Sequence, residues 1–180
     1  MPMKLVILDR DGVINYDSDQ FIKSPAEWKP IPGSLEAIAR LCQAGWRVVV
    51  ATNQSGVGRG LFDMDMLNGI HNKMHRAVQS AGGRIDAVFF CPHTAEQKCD
   101  CRKPQAGMFK RIGETYKLDL TGVPSVGDSL RDLQAAAAVG AWPMLVLSGK
   151  GKKTQAAGGL PEGTVTFADL AAAVDHILKP

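Results

Sequence analysis

Leu5-Val6-Ile7-Leu8-Asp9-Arg10-Asp11-Gly12-Val13 is the stretch around which the other segments arrange themselves. Lys4 to Leu8 is a short apolar run rich in β-branched residues, the pattern of a buried strand. Two aspartates and a glycine follow it. Positions two apart on an extended chain face the same side, so Asp9 and Asp11 can address one reacting centre at the strand's carboxyl end. Gly12 lets the backbone turn sharply beyond them. In an open α/β sheet that end is where ligands bind. Alone, Asp-x-Asp-Gly reads equally well as a polar turn. Three features further along the chain favour chemistry.

Strand and helix signals alternate from there on. Ser34 caps a helix carrying Leu35, Ile38, Leu41 and Cys42 at helical spacing, and Gly45 ends it. Cys42 sits on that apolar face as a core residue. Strands are predicted over Trp46–Ala51, Ile85–Phe90, Pro124–Val126 and Met144–Leu147. Helices are predicted over Asp63–Ala81, Gly107–Tyr116, Leu130–Val139 and Thr166–Leu178, the last with Thr166 and Asp169 as a capping box. Ser148–Gly163, rich in glycine and lysine, reads as a flexible surface connection. His71 and His75, four apart on the second helix, have no acidic partner and read as part of a solvated face. The alternation predicts a doubly wound parallel sheet with helices on both faces.

The chain has 180 residues, enough for one domain, residues 1–180, with a full core. A net charge of +3, no basic run and few aromatics argue against a nucleic-acid partner. No segment approaches the length of a membrane span and no signal-peptide pattern is present. Four cysteines occur, Cys42, Cys91, Cys99 and Cys101, and three of them crowd around His93. Reduced thiols without a signal sequence point to the cytoplasm. No exposed apolar stripe argues against a monomer.

Loops leaving four strand ends carry Asp9 and Asp11, Thr52 and Asn53, Lys103, and Asp128. As a set they fit phosphoryl transfer through an aspartyl phosphate. Asp9 is the candidate nucleophile, and Asp11 the acid that protonates the leaving oxygen and then activates water. An anionic nucleophile facing an anionic phosphate needs a hard cation, and oxygen ligands suit magnesium: carboxylates of Asp9 and Asp128 with the Asp11 carbonyl. Lys103 and Thr52 would stabilise the transferring oxygens.

Asp9-Arg10-Asp11-Gly12, Thr52-Asn53-Gln54, Arg102-Lys103-Pro104 and Gly127-Asp128 resemble the four motifs of the haloacid dehalogenase superfamily of phosphatases. The resemblance covers residues 4 to 147 and implies a cap-less Rossmann-like core. Cys91-Pro92-His93 followed by Cys99-Asp100-Cys101 is narrower, and is similar to a loop of heptose bisphosphate and histidinol-phosphate phosphatases. Three thiolates and one imidazole make a closed tetrahedral set suited to structural zinc, free cysteines being the other reading. The loop Asn53-Gln54-Ser55-Gly56-Val57-Gly58-Arg59-Gly60, above all its Arg59-Gly60 pair, and the segment Asn15-Tyr16-Asp17 resemble the heptose branch. That resemblance implies substrate contacts by Asp17, Asn53, Gln54, Ser55 and Arg59, with Arg102 on a second phosphate or the sugar. The expected substrate is a phosphorylated sugar, a heptose 1,7-bisphosphate that loses its 7-phosphate during lipopolysaccharide core synthesis. The short spacing from His93 to Cys99, and Ser129 where some heptose enzymes have lysine, keep histidinol phosphate open. A zinc-stabilised binding module without catalysis would be expected to lack Asp9 or Asp11, and both are present.

Overall fold

The computed structural model describes residues 2–180. Six strands form one parallel sheet in the order β3-β2-β1-β4-β5-β6. They are β1 (Leu5–Leu8), β2 (Arg47–Asn53), β3 (Ala87–Cys91), β4 (Pro124–Gly127), β5 (Trp142–Val146) and β6 (Val165–Phe167). The helices are α1 (Ser34–Gln43), α2 (Ser55–Gly58), α3 (Met64–Ser80), α4 (Gly107–Tyr116), α5 (Leu130–Ala138), α6 (Gly151–Ala157) and α7 (Leu170–Ile177). The chain builds outward from β1 to β3, then crosses back to place β4 on the other side of β1. The strand order therefore reverses beside β1, and the crevice at its carboxyl end is the natural ligand site.

The sheet separates two apolar layers because successive side chains of a strand point to opposite faces. Val6 and Leu8 join Val48 and Val50 under Ile38 and Leu41 of α1, Ile70 and Met74 of α3, and Val174 of α7. Leu5 and Ile7 join Val49 and Ala51 under Phe109 and Ile112 of α4 and Ala135 of α5. All four residues of β1 are fully buried, as expected of the central strand.

Four expectations need correction. Ser34 is the first residue of α1 and not its cap: Gly33 takes the cap position, and the Ser34 hydroxyl donates to Val13 O at 2.8 Å. Thr166 lies in β6, and the helix starts later, with the Asp169 side chain accepting from Ala172 N. The short Val-Thr-Phe strand is masked in the sequence by the cap signal that follows it. The connection after β5 is not a loose segment: it contains α6, and its first residues pack on the β1 and β4 loops. His71 is 7% exposed and not on a solvated face. The stretch between β1 and α1 contains one 3-10 turn, Pro25–Glu27, and is anchored by the fully buried Trp28.

Candidate active site

Asp9 leaves β1 with its N–H donating to Val126 O at 2.9 Å, which ties the loop to β4. Its Oδ1 accepts from Arg10 N (2.9 Å) and Lys103 Nζ (3.1 Å). Gly12 has φ +85°, and a Cβ there would collide with the Asp128 carboxylate. Glycine thus serves both the turn and the close approach of the β4 loop.

Lys103 Nζ is buried, and its three donors are all engaged: Asp132 Oδ1 at 2.7 Å, Ala51 O at 2.8 Å and Asp9 Oδ1. Burial opposes its charge, but Asp132 and Asp9 outweigh it and push the ammonium's pKa up. Asp9, Asp128 and Asp132 place carboxylate oxygens within 4.8 Å of one another. Burial and then Asp132 push the Asp128 carboxyl up to about 7, and the same two causes raise Asp9. Three converging carboxylates against one ammonium leave negative charge uncompensated. An all-oxygen donor set of this kind suits a hard divalent cation such as magnesium.

The β5–α6 connection holds Asp128 in place. Lys150 N donates to Asp128 Oδ2 (2.9 Å), and Thr154 Oγ1 donates to Asp128 O (2.7 Å). Ser148 Oγ donates to Gly12 O (2.7 Å). Lys150 Nζ lies 3.4 Å from Asp17 Oδ2, across the mouth of the site.

Arg10, between the two aspartates, is fully buried and turns inward. Its Nε donates to Asp11 Oδ1 (2.8 Å), one terminal nitrogen to His71 Nε2 (3.1 Å) and the other to Gln54 Oε1 (3.3 Å). Gln54 Nε2 in turn donates to Thr52 Oγ1 at 2.9 Å. The Thr52 hydroxyl itself donates to Asn53 O at 3.5 Å, a long bond that it can exchange for an acceptor in the cavity. Asn15 Nδ2 also donates to Asp11 Oδ1 (3.0 Å). Burial acts to raise the Asp11 carboxyl, but the Arg10 charge and these hydrogen bonds hold it below the ordinary carboxylate range.

Asp9, Asp11, Thr52, Lys103 and Asp128 all line one cavity of about 110 Å³ at the carboxyl end of the sheet. Asp17, Asn53, Gln54, Ser55 and Arg102 border it too. The Asn53 amide is engaged with the Lys103 backbone, accepting from its N–H (3.0 Å) and donating to its carbonyl (3.2 Å). Asn53 therefore clips the lysine loop to β2. Arg59 is exposed and stacks 5.9 Å from the ring of Phe21, a residue that borders the cavity.

Cys91, His93, Cys99 and Cys101 bring their donor atoms together, with Cys91 Sγ 3.5 Å from Cys99 Sγ and His93 Nδ1 3.3 Å from Cys101 Sγ. None forms a disulfide. Cys91 and Cys101 sulfurs, at 2.7 Å, would spread to the roughly 3.8 Å edge that a zinc–sulfur bond of about 2.3 Å implies. Donor types and convergence both fit zinc. The loop they close carries Arg102, whose N–H donates to Cys99 Sγ (3.3 Å) and whose guanidinium donates to His93 O (3.3 Å).

Sequence reading missed Asp132, Arg131, Arg10 and His71. Asp132 had a signal, since it stands three residues after Ser129 and closes a capping box with it. His71 also had one, lying four residues after Leu67 and three before Met74 on the buried stripe of α3. Arg131, which borders the cavity, looks like any exposed helix arginine in sequence.

Residues 4–132 match the family described as Polynucleotide kinase 3 phosphatase, and residues 100–173 match one described as HAD-hydrolase-like. The D-glycero-beta-D-manno-heptose-1,7-bisphosphate 7-phosphatase of Bordetella bronchiseptica is 62% identical over 98% of this chain and 99% of its own. The Pseudomonas aeruginosa protein of the same name is 52% identical over 99% of this chain and its full length. A crystal structure of the Bordetella bronchiseptica enzyme, complexed with magnesium and phosphate, superposes with a TM-score of 0.97 at 62% identity, covering 98% of each chain. With that identity spread over the full length, the chain belongs to the D-glycero-D-manno-heptose 1,7-bisphosphate 7-phosphatases, a family of haloacid dehalogenase-like hydrolases.

Proposed function

We propose that residues 1–180 act as one cytoplasmic, monomeric phosphatase domain that removes the 7-phosphate of D-glycero-D-manno-heptose 1,7-bisphosphate. The observation that carries this is the convergence of Asp9, Asp11, Thr52, Lys103 and Asp128 on one cavity at the sheet's switch point. The β-anomer is the favoured form, as in the names of the full-length relatives. Those relatives, at 52–62% identity, favour the heptose over histidinol phosphate despite the short zinc loop.

In the first step the Asp9 carboxylate attacks phosphorus, and the bond from phosphorus to the sugar's 7-oxygen breaks. The Asp11 proton passes to that oxygen. Arg10 keeps Asp11 ionised at rest, so the proton must arrive with substrate, whose negative charge raises the Asp11 pKa. In the second step water attacks the aspartyl phosphate, Asp11 takes the water's proton, and phosphate leaves with Asp9 restored. Lys103 would turn one N–H, the long 3.1 Å donation to Asp9, toward the transferring oxygens, and Thr52 would donate beside it. Magnesium held by Asp9, Asp128 and the Asp11 carbonyl would neutralise charge between nucleophile and phosphoryl group.

Arg102 and Arg131 border the same cavity and are suited to the second phosphate, for which a planar guanidinium fork is well shaped. Asp17 and Ser55 would meet sugar hydroxyls, with Asn53 and Gln54 shaping that wall, and Arg59 would approach from the rim. Zinc on Cys91, His93, Cys99 and Cys101, with every position filled by protein, would be structural and hold Arg102 and Lys103 in register. Acid-quenched turnover tests the chemistry. Mass spectrometry is expected to find phosphate on the peptide containing Asp9, and phosphate on a different residue would overturn the scheme.

A further inference from the structure

Arg10 and His71 do not line the cavity, yet one touches the acid-base carboxylate and the other touches Arg10. We propose that His71 is a positioning residue, acting through the buried Arg10 guanidinium to leave one oxygen of Asp11 free for catalysis. The inference rests on the reading of Asp11 as the acid-base group.

A guanidinium is planar and carries only donors, so its orientation is set by where acceptors lie. Arg10 meets a different acceptor on each nitrogen: Asp11 Oδ1, Gln54 Oε1 and His71 Nε2. Since Arg10 has no acceptor to offer, His71 Nε2 must present its lone pair, and the ring is neutral with its proton on Nδ1. The low pKa of His71, about 3, agrees, its causes being burial first and Arg10 second. With its terminal nitrogens satisfied elsewhere, the guanidinium gives only Nε to Asp11. Asn15 shares the same Oδ1, and among the described residues no hydrogen bond within 3.5 Å reaches Asp11 Oδ2, while the Gln54 side chain stands near enough to help hold the carboxyl ionised.

Without the His71 acceptor, a buried terminal nitrogen would be stranded. The nearest remedy is rotation of the guanidinium into a two-pronged pair with Asp11, the geometry arginine and carboxylate prefer. Both Asp11 oxygens would then be occupied, and the proton transfer would lose its oxygen. Gln54 shares the guanidinium, so its hold on the Thr52 hydroxyl would loosen as well. Arg102, Arg131 and Asp17 border the cavity but lie outside this chain of contacts, and Gln54 is its one member on the sugar-facing wall.

The test compares His71→Leu, His71→Gln and Asp11→Asn in the full-length enzyme with magnesium, measuring kcat and KM on heptose 1,7-bisphosphate alongside thermal unfolding. Leucine fills the space without an acceptor, whereas the glutamine amide oxygen reaches about as far as Nε2. His71→Leu is expected to lose about 10- to 100-fold in kcat with KM within about twofold. His71→Gln is expected to recover most of that loss. A folded Leu variant with wild-type kcat would overturn the inference. So would equal losses in Leu and Gln, or a loss carried by KM, since those mark a merely structural role. If the Leu variant does not fold, His71→Asn, whose amide is too short to reach Arg10, takes its place against Gln with the same two outcomes. An Asp11→Asn enzyme with unchanged kcat would instead remove the acid-base reading on which the inference stands.

Discussion

Asp9 and Asp11 are the same side chain two residues apart, and their neighbours give them different work. Asp9 faces Asp128 and Asp132, with Lys103 as its one close cation, an arrangement that suits a nucleophile sharing a metal. Asp11 faces Arg10 and Asn15, which take one oxygen and leave the other. Asp11→Asn is expected to lower kcat by about 10²- to 10⁴-fold, read by phosphate release at saturating substrate. Asp132→Ala should act on stability as well, since it strips Lys103 of its shortest partner and the Asp128 and Ser129 N–H groups of their acceptor. Breaking a buried pair costs roughly 3–5 kcal/mol, measurable by denaturant unfolding. That the two aspartates, Lys103, Thr52 and Asp128 meet at one cavity was legible in sequence, because all of them follow or flank strand ends on the same edge of the sheet. Arg10 stood in the same motif and went unread, because only folded packing shows whether an arginine after a strand points to solvent or into the core.

Two elements carry consequences beyond their own residues. On α3, His71 is kept neutral, with a folded pKa of about 3 against about 6.5 in an unfolded chain. Below 6.5 the unfolded state binds a proton that the folded state refuses, so this histidine costs stability as pH falls. Between pH 6.5 and 5 its share approaches a slope of about 1.4 kcal/mol per pH unit. His71→Gln should flatten the stability profile by that share, and identical profiles for the two proteins would contradict the burial of a neutral ring. The second element is α6, whose Thr154 hydroxyl holds the Asp128 carbonyl. Thr154→Val should weaken magnesium binding several-fold, read by titration of the metal-free enzyme, with fold and zinc content kept. Periodicity located α1, α3, α4 and α5 to within a residue or two because each has a clear apolar face. It missed α6 and β6, which are short: α6 is tied to the β4 loop through Thr154, and β6 is an edge strand paired with β5.

At the scale of the whole molecule, the strand order brings four distant segments to one end of the sheet, and the cysteine loop joins the lysine segment to the end of β3. Alternation of elements made the parallel sheet legible. The order of its strands required the crossover from β3 to β4, which no local signal encodes. Cys99→Ser is expected to lower bound zinc from one equivalent by elemental analysis and to weaken substrate binding through Arg102, whose N–H rests on that sulfur. Among the described residues no helix is long and apolar enough to cross a membrane. The most direct measurement is phosphate release with magnesium from the two anomers of D-glycero-D-manno-heptose 1,7-bisphosphate and from histidinol phosphate, with Asp9→Asn as control. Preferential loss of the 7-phosphate from the β-anomer, absent in Asp9→Asn, is the expected result. Faster release from histidinol phosphate, or turnover that survives Asp9→Asn, would contradict it.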